Sequence, residues 1–166
     1  MEKEITEHIP EEKELLLKGK KRALRLLERK DYSRKELIDK LKKDGYTENL
    51  VDKIIEYIDS YHYLDDSRVA GNYIRSRMGY KSKRELEYKL KQKGISEEEI
   101  DAAMGENYKN EENIPQEEVA IRKFLQKYQI NDESVIDVSL EEKQKLAAKL
   151  YRKGFDLDKI RKILQM

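Results

Sequence analysis

Residues 82–96 read SKRELEYKLKQKGIS. Glu85 follows Ser82 at the spacing of a capping box, in which the serine oxygen takes the glutamate N–H and the carboxylate takes the serine N–H. Leu86 and Leu90 stand four apart and so share one helix face. Gly94 closes the pattern, because glycine adopts the left-handed conformation that ends a helix. The same order of signals recurs at 33–47, SRKELIDKLKKDGYT, with Ser33/Glu36, Leu37/Leu41 and Gly45. It recurs again at 139–156, SLEEKQKLAAKLYRKGFD, with Ser139/Glu142, Leu146/Leu150 and Gly154. Serine and glycine are 12, 12 and 15 residues apart, which makes the third helix about one turn longer.

The flanks extend each copy. After each glycine comes an apolar residue and then a capping residue: Tyr46-Thr47, Ile95-Ser96 and Phe155-Asp156. A further helix is expected from each cap. Its apolar face is Leu50, Val51, Ile54, Ile55 and Ile58 in the first copy, Ile100, Ala103 and Met104 in the second, and Leu157, Ile160, Ile163 and Leu164 in the third. An amphipathic helix also precedes each box, through Ala23, Leu24 and Leu27, then Val69, Ala70, Tyr73 and Ile74, then Val119, Ala120, Phe124, Leu125 and Tyr128. Pro115 fits the first turn of the last of these, with Glu117 and Glu118 complementing its dipole.

The expected fold is all-α, an elongated, curved tandem array of three three-helix modules. No alternating strand pattern recurs. The expected division is an acidic lead-in at 1–19, loose or partly helical, modules at 20–60 and 61–105, an acidic linker at 106–115, and a third module at 116–166. Composition agrees: 37% of the 166 residues are apolar and 43% charged, which suits small cores with much surface.

The net charge of +1 hides local fields. Residues 61–94 carry a net +5, whereas 95–118 carry −8. Such blocks steer a chain toward polyanions or charged partners. Arg68, Arg75, Arg77, Lys81, Lys83, Arg84, Lys89 and Lys93 are the candidates for such contacts, and Arg122, Lys123, Lys127, Arg152 and Lys153 form a second patch. Tyr61, Tyr63, Tyr73, Tyr80 and Tyr88 are interleaved with the first set, and aromatic rings can stack on bases. Solvated helix faces and tyrosines wedged between modules are the alternative reading of the same residues.

Catalytic equipment is sparse. There is no cysteine, and His8 and His62 are the only histidines. Thiol chemistry and zinc–thiolate sites are therefore excluded, and no phosphate loop or metal-spaced cluster stands in the sequence. Asp65 and Asp66 are adjacent, so on a helix they would diverge by about 100°. A helix cap followed by a dipole-supporting residue accounts for them. No catalytic residue, cofactor or metal is expected. The polar start and the lack of a long apolar run predict a cytoplasmic chain that does not engage a membrane.

YLDDSRVAGNYIRSR at 63–77, followed by KSKRELEYKLKQKGISEEEIDAAM at 81–104, closely resembles the RecX family of RecA-recombinase regulators. ALRLLERKDYSRKELIDKLKKDGY at 23–46 looks like that family's opening module, and KLYRKGFDLDKIRKIL at 149–164 like its third. Tyr63, Leu64, Asp65, Asp66, Ala70, Tyr73 and Arg77 stand at motif positions of the middle module. Val69 stands where the family often has Phe. The resemblance implies a non-enzymatic protein that lodges in the groove of the RecA nucleoprotein filament. It would there restrain filament growth, ATP hydrolysis and strand exchange. The implied partners are the RecA filament and single- or double-stranded DNA, met directly or within the filament, with the protein itself a monomer. A DNA-binding module of SAP-like character and a helical protein–protein adaptor are the competing readings.

Overall fold

The computed structural model describes residues 5–108 and 115–166. The centre of the expected acidic linker and the first four residues of the lead-in lie outside them. The described residues form nine α-helices and no strand. The helices are α1 (Ile5–Arg29), α2 (Arg34–Lys43), α3 (Glu48–Ser60), α4 (Asp66–Arg77), α5 (Lys83–Gln92), α6 (Glu97–Asn107), α7 (Gln116–Gln126), α8 (Leu140–Arg152) and α9 (Leu157–Leu164). A short 3-10 turn, Ser134–Asp137, precedes α8. The chain divides into two compact units, one reaching to Val69 and adding Lys93–Ile95, the other made of Ala70–Gln92 and Ser96–Met166.

In the first unit α1, α2 and α3 enclose one core. Leu37 and Leu41 from α2, Val51, Ile54, Ile55 and Ile58 from α3, and Ala23 and Leu26 from α1 are buried together. Each such leucine or isoleucine contributes about 1.5–3 kcal/mol through the surface it removes from water. Helix α1 runs unbroken through Gly19. A Cβ there would collide with the Ile54 side chain, and the missing side chain is what lets α1 approach α3. Leu24 and Leu27 pack only partly buried against the core, whereas Leu26 is fully inside it.

In the second unit α7, α8 and α9 share a core of Ala120, Ile121, Leu125, Leu146, Leu150, Phe155, Ile160, Ile163 and Leu164. Leu86, Leu90, Ile100, Ala103 and Met104 are buried on α5 and α6. Three sequence assignments change here. Leu157 and Tyr128 are exposed, and Pro115 is the N-cap of α7 rather than its first turn. Glu117 and Glu118 do more than face a helix dipole. Both are buried, and their carboxylates accept hydrogen bonds from Lys159 (2.6 Å) and Lys162 (2.9 Å), tying α7 to α9.

The repeated box serines carry a second function. Ser33 Oγ accepts the Glu36 N–H (3.2 Å) and donates to the Lys93 carbonyl (2.5 Å). Ser82 Oγ accepts the Glu85 N–H (3.1 Å) and donates to the Lys153 carbonyl (2.7 Å). One hydroxyl thus closes the start of one helix and satisfies a carbonyl at the end of another, both of which the helices themselves leave unpaired. Gly94 and Gly154 immediately follow those carbonyls, with φ of +76° and +87°. A side chain on Gly94 would run into Lys35, and one on Gly154 would meet Ser82 Oγ and Arg84. The reciprocal half of the expected box is made at Ser33 and not at Ser139. Glu85 turns to Lys81 instead (2.6 Å), and Ser96/Glu99 forms a full box that the repeat did not announce.

Candidate functional site

The YLDD motif at 63–66 is structural. Asp65 Oδ1 accepts the Arg68 N–H (2.9 Å) and so caps α4. Asp66 does not only support its own helix. Its Oδ1 accepts the Arg34 N–H (2.8 Å) at the first turn of α2. The adjacent aspartates therefore pin two different helix starts. Leu64 packs on the first unit's core, and Ala70 is buried. Tyr63 is exposed and stacks at 5.7 Å on Tyr61, and Tyr73 is half-buried beneath the Arg77 guanidinium at 5.0 Å. Gly45 ends α2 with φ +98°, and nothing lies within 4 Å of where a Cβ would stand.

Several of the candidate cations hold the fold. Lys93 forms a half-buried ion pair with Glu36 (2.6 Å). Burial pushes the Glu36 carboxyl up, but the Lys93 hydrogen bond, the Ser33 N–H and the Lys93 charge outweigh it and keep it below its ordinary 4.5. Arg122 is shared by Asp132 (3.0 Å) and Glu118 (3.3 Å). Arg75 folds back on Asn72 and Asn107, through space that Gly71 leaves beside it. Arg68 faces Asp31 at 3.6 Å and, with His62 and Tyr63, lines a cavity of about 380 Å³ in the first unit. Lys83 approaches Glu87 at 3.8 Å, and Lys89 bonds Gln92 at 3.2 Å.

The remaining candidates converge in the second unit. A cleft of about 470 Å³ is lined by Tyr80, Lys81, Glu85, Lys123, Phe124, Lys127 and Lys153. A second, of about 550 Å³, is lined by Arg84, Glu85, Tyr88, Tyr151, Arg152 and Lys153. Glu85 and Lys153 belong to both, so the two are continuous. The start of α5 and the ends of α7 and α8 thus bring six cations and five aromatic rings, the buried Phe155 among them, together around one shared carboxylate. Lys123 Nζ sits 3.8 Å above the Tyr80 ring, which is 66% exposed, and Lys153 lies 5.9 Å from the Phe124 ring. Gln92 donates to the Tyr88 hydroxyl (2.9 Å) and steadies that ring. Such a strip suits a phosphate backbone with unstacked bases, or an acidic protein surface. The sequence placed its cations in two patches; folding merges part of each. Phe124 and Tyr151 were missed as members, since nothing local to either points toward α5.

Among the described residues no cluster of His, Asp and Glu could hold a metal ion, and no helix is long and apolar enough to cross a membrane. The helices define an all-α protein, and the cation–aromatic strip is its candidate contact surface. Residues 20–57 match the family model for the first three-helix domain of RecX, and 65–104 that for its second. The regulatory protein RecX of Legionella pneumophila (strain Corby) is 35% identical over 145 residues, covering 86% of this chain and 90% of the relative. That of Clostridium acetobutylicum is 30% identical over 158 residues, covering 93% and 71%. The crystal structure of RecX from Lactobacillus salivarius superposes with a TM-score of 0.68 at 25% identity, over 90% of this chain and 94% of that one. The chain belongs to the RecX family, a family of regulatory proteins rather than enzymes.

Proposed function

We propose that this chain binds the RecA nucleoprotein filament in its helical groove and restrains recombinase, ATPase and strand-exchange activity. Family membership supports the partner, and the strip from Tyr80 to Arg152 supports the mode of contact. Lys81, Arg84, Lys123, Lys127, Arg152 and Lys153 supply the charge for filament or DNA. The other candidate cations act mainly by holding helices in place. The protein acts in the cytoplasm, where such filaments form. The test is titration into a RecA–single-stranded DNA ATPase and strand-exchange assay. Inhibition with co-sedimentation is expected, and the absence of both contradicts the proposal.

Direct binding to DNA is the second reading, favoured by the Lys123–Tyr80 pair, whose ring face stays accessible. Micromolar binding to naked DNA without recombinase would establish it over the first.

A further inference from the structure

The first unit carries a cavity of its own. It measures about 380 Å³, within the roughly 300–1,000 Å³ of small-molecule sites. Leu24 and Leu27, half-buried on α1, give it an apolar wall. Tyr63 gives it an aromatic one, and that ring is held in place. It stacks on Tyr61 at 5.7 Å, Tyr61 meets Tyr57 edge-on at 5.1 Å, and Lys20 Nζ lies 4.3 Å over Tyr57. His62 lines the cavity from a backbone φ of +55°, a conformation that glycine would take at less cost.

The polar groups on the wall are of both signs. Glu28 forms no ion pair among the described residues. Arg68 faces Asp31 at 3.6 Å, well outside the about 2.7–2.9 Å of a charge-assisted hydrogen bond. This mixture selects its occupant. An apolar side chain of a partner protein would fill the leucine and tyrosine walls but take the Glu28 carboxylate out of water with nothing to bond. A lysine or arginine would satisfy that carboxylate but bring its charge up to that of Arg68. A nucleobase offers a flat ring to Tyr63 and a polar edge to the rest. Among the bases, guanine alone presents two adjacent N–H groups, at N1 and N2, to one carboxylate, and two adjacent acceptors, O6 and N7, to one guanidinium. In adenine and cytosine an acceptor nitrogen stands beside the amino group, and in thymine and uracil carbonyls flank the one N–H. Each of these would set a lone pair against the carboxylate.

We propose that this cavity is a guanine site. The ring lies against Tyr63 and the two leucines, Glu28 accepts from N1–H and N2–H, and Arg68, steadied by Asp31, donates to O6 and N7. The ligand chemistry is the guanine base with its pairing edge free, carried by a single strand or by a free nucleotide. In a duplex that edge is taken by cytosine.

Of the two histidines, His62 alone lines the cavity, so its ring signals report occupancy by NMR. GMP titrated into the full chain should shift the His62 and Tyr63 ring signals and saturate at about 1 mM. Inosine monophosphate, which lacks the N2 amine, should bind about tenfold more weakly, and AMP, CMP and UMP at least as weakly. Glu28→Gln should bring GMP down to the inosine level, because its amide turns a donor toward the guanine N–H groups. Tyr63→Ala should weaken GMP by about tenfold, read at His62, and Tyr63→Phe should restore it. Glu28 and Tyr63 are exposed, so these variants keep their helices. A short oligothymidine carrying one guanine, read at the same signals, separates the sources. Tighter binding than GMP marks a strand, equal binding marks the free nucleotide, and either upholds the site. Equal affinity for all the nucleotides, no shift at His62, or unchanged GMP affinity in Glu28→Gln overturns the proposal. No recombinase is present, and adding Arg84→Ala, Lys123→Ala, Arg152→Ala and Lys153→Ala should leave GMP binding unchanged, so the result is independent of the filament reading.

Discussion

Replacing Ser82 and Ser139 by alanine separates the two functions of the box serine. Both substitutions remove an N-cap acceptor, which costs about 1 kcal/mol. Only Ser82→Ala also strips the Lys153 carbonyl of a donor held at 2.7 Å in a partly buried setting. An acceptor left without a partner costs about 1–3 kcal/mol, and partial burial favours the lower end. The expected losses are therefore about 2 kcal/mol for Ser82→Ala and about 1 kcal/mol for Ser139→Ala. Both serines lie in the second unit, which makes the comparison internal. In urea, with a slope of about 2 kcal/mol per molar, the midpoints should differ by roughly 0.5 M at unchanged slope. Hydrogen exchange at the end of α8 should quicken in Ser82→Ala and not in Ser139→Ala. Equal midpoints would refute the joint, since they would mean that the cap alone accounts for both serines.

Other expectations are as direct. Tyr108 buries a hydroxyl that finds no partner among the described residues, and burial raises its pKa above the ordinary phenol value. Tyr108→Phe should leave stability unchanged or raise it by about 1 kcal/mol in urea titration; a clear loss would reveal a hydrogen bond at that oxygen. Glu36, Asp44 and Glu118 all titrate below their ordinary values. Lys93 outweighs burial for the first, Lys40 and Arg22 act on the second, and Lys162 and Arg122 on the third. Folding favours their charged forms, so the stability they contribute is present above the ordinary carboxylate range and is lost as pH falls through the lowered values. The urea midpoint should drop between pH 5 and 3, as it will not if these pairs contribute nothing. Lys123→Ala with Lys127→Ala should weaken binding to filament or DNA and make it less salt-dependent by about two phosphate contacts' worth of slope; an unchanged slope would remove these residues from the contact.

Much of the helical pattern was legible because its signals are local. Serine, glutamate, paired leucines and glycine each act within a turn or two of themselves, and α2, α5 and α8 begin and end where those residues stand. What escaped reading is long-range. Nothing near Ser33 in sequence announces a carbonyl 60 residues away, and nothing near Asp66 announces the N–H of Arg34. Arg75 and Arg122 looked like surface charge because periodicity says which side of a helix is apolar, not which neighbour stands beside a polar side chain. The candidate strip was half legible for the same reason. Its lysines and arginines could be counted, but their meeting depends on how α5, α7 and α8 pack.

The most direct test of the account compares the native chain with a variant carrying Arg84→Ala, Lys123→Ala, Arg152→Ala and Lys153→Ala in a RecA–single-stranded DNA ATPase titration, with filament co-sedimentation read in parallel. These side chains are partly or fully exposed, so the variant should keep its helix content. The account predicts that the native chain suppresses hydrolysis and pellets with filaments, and that the variant needs at least tenfold more protein to do either, a loss of about 1.4 kcal/mol. Equal potency of the two proteins would contradict the placement of the contact, and inactivity of the native chain would contradict the proposed function itself.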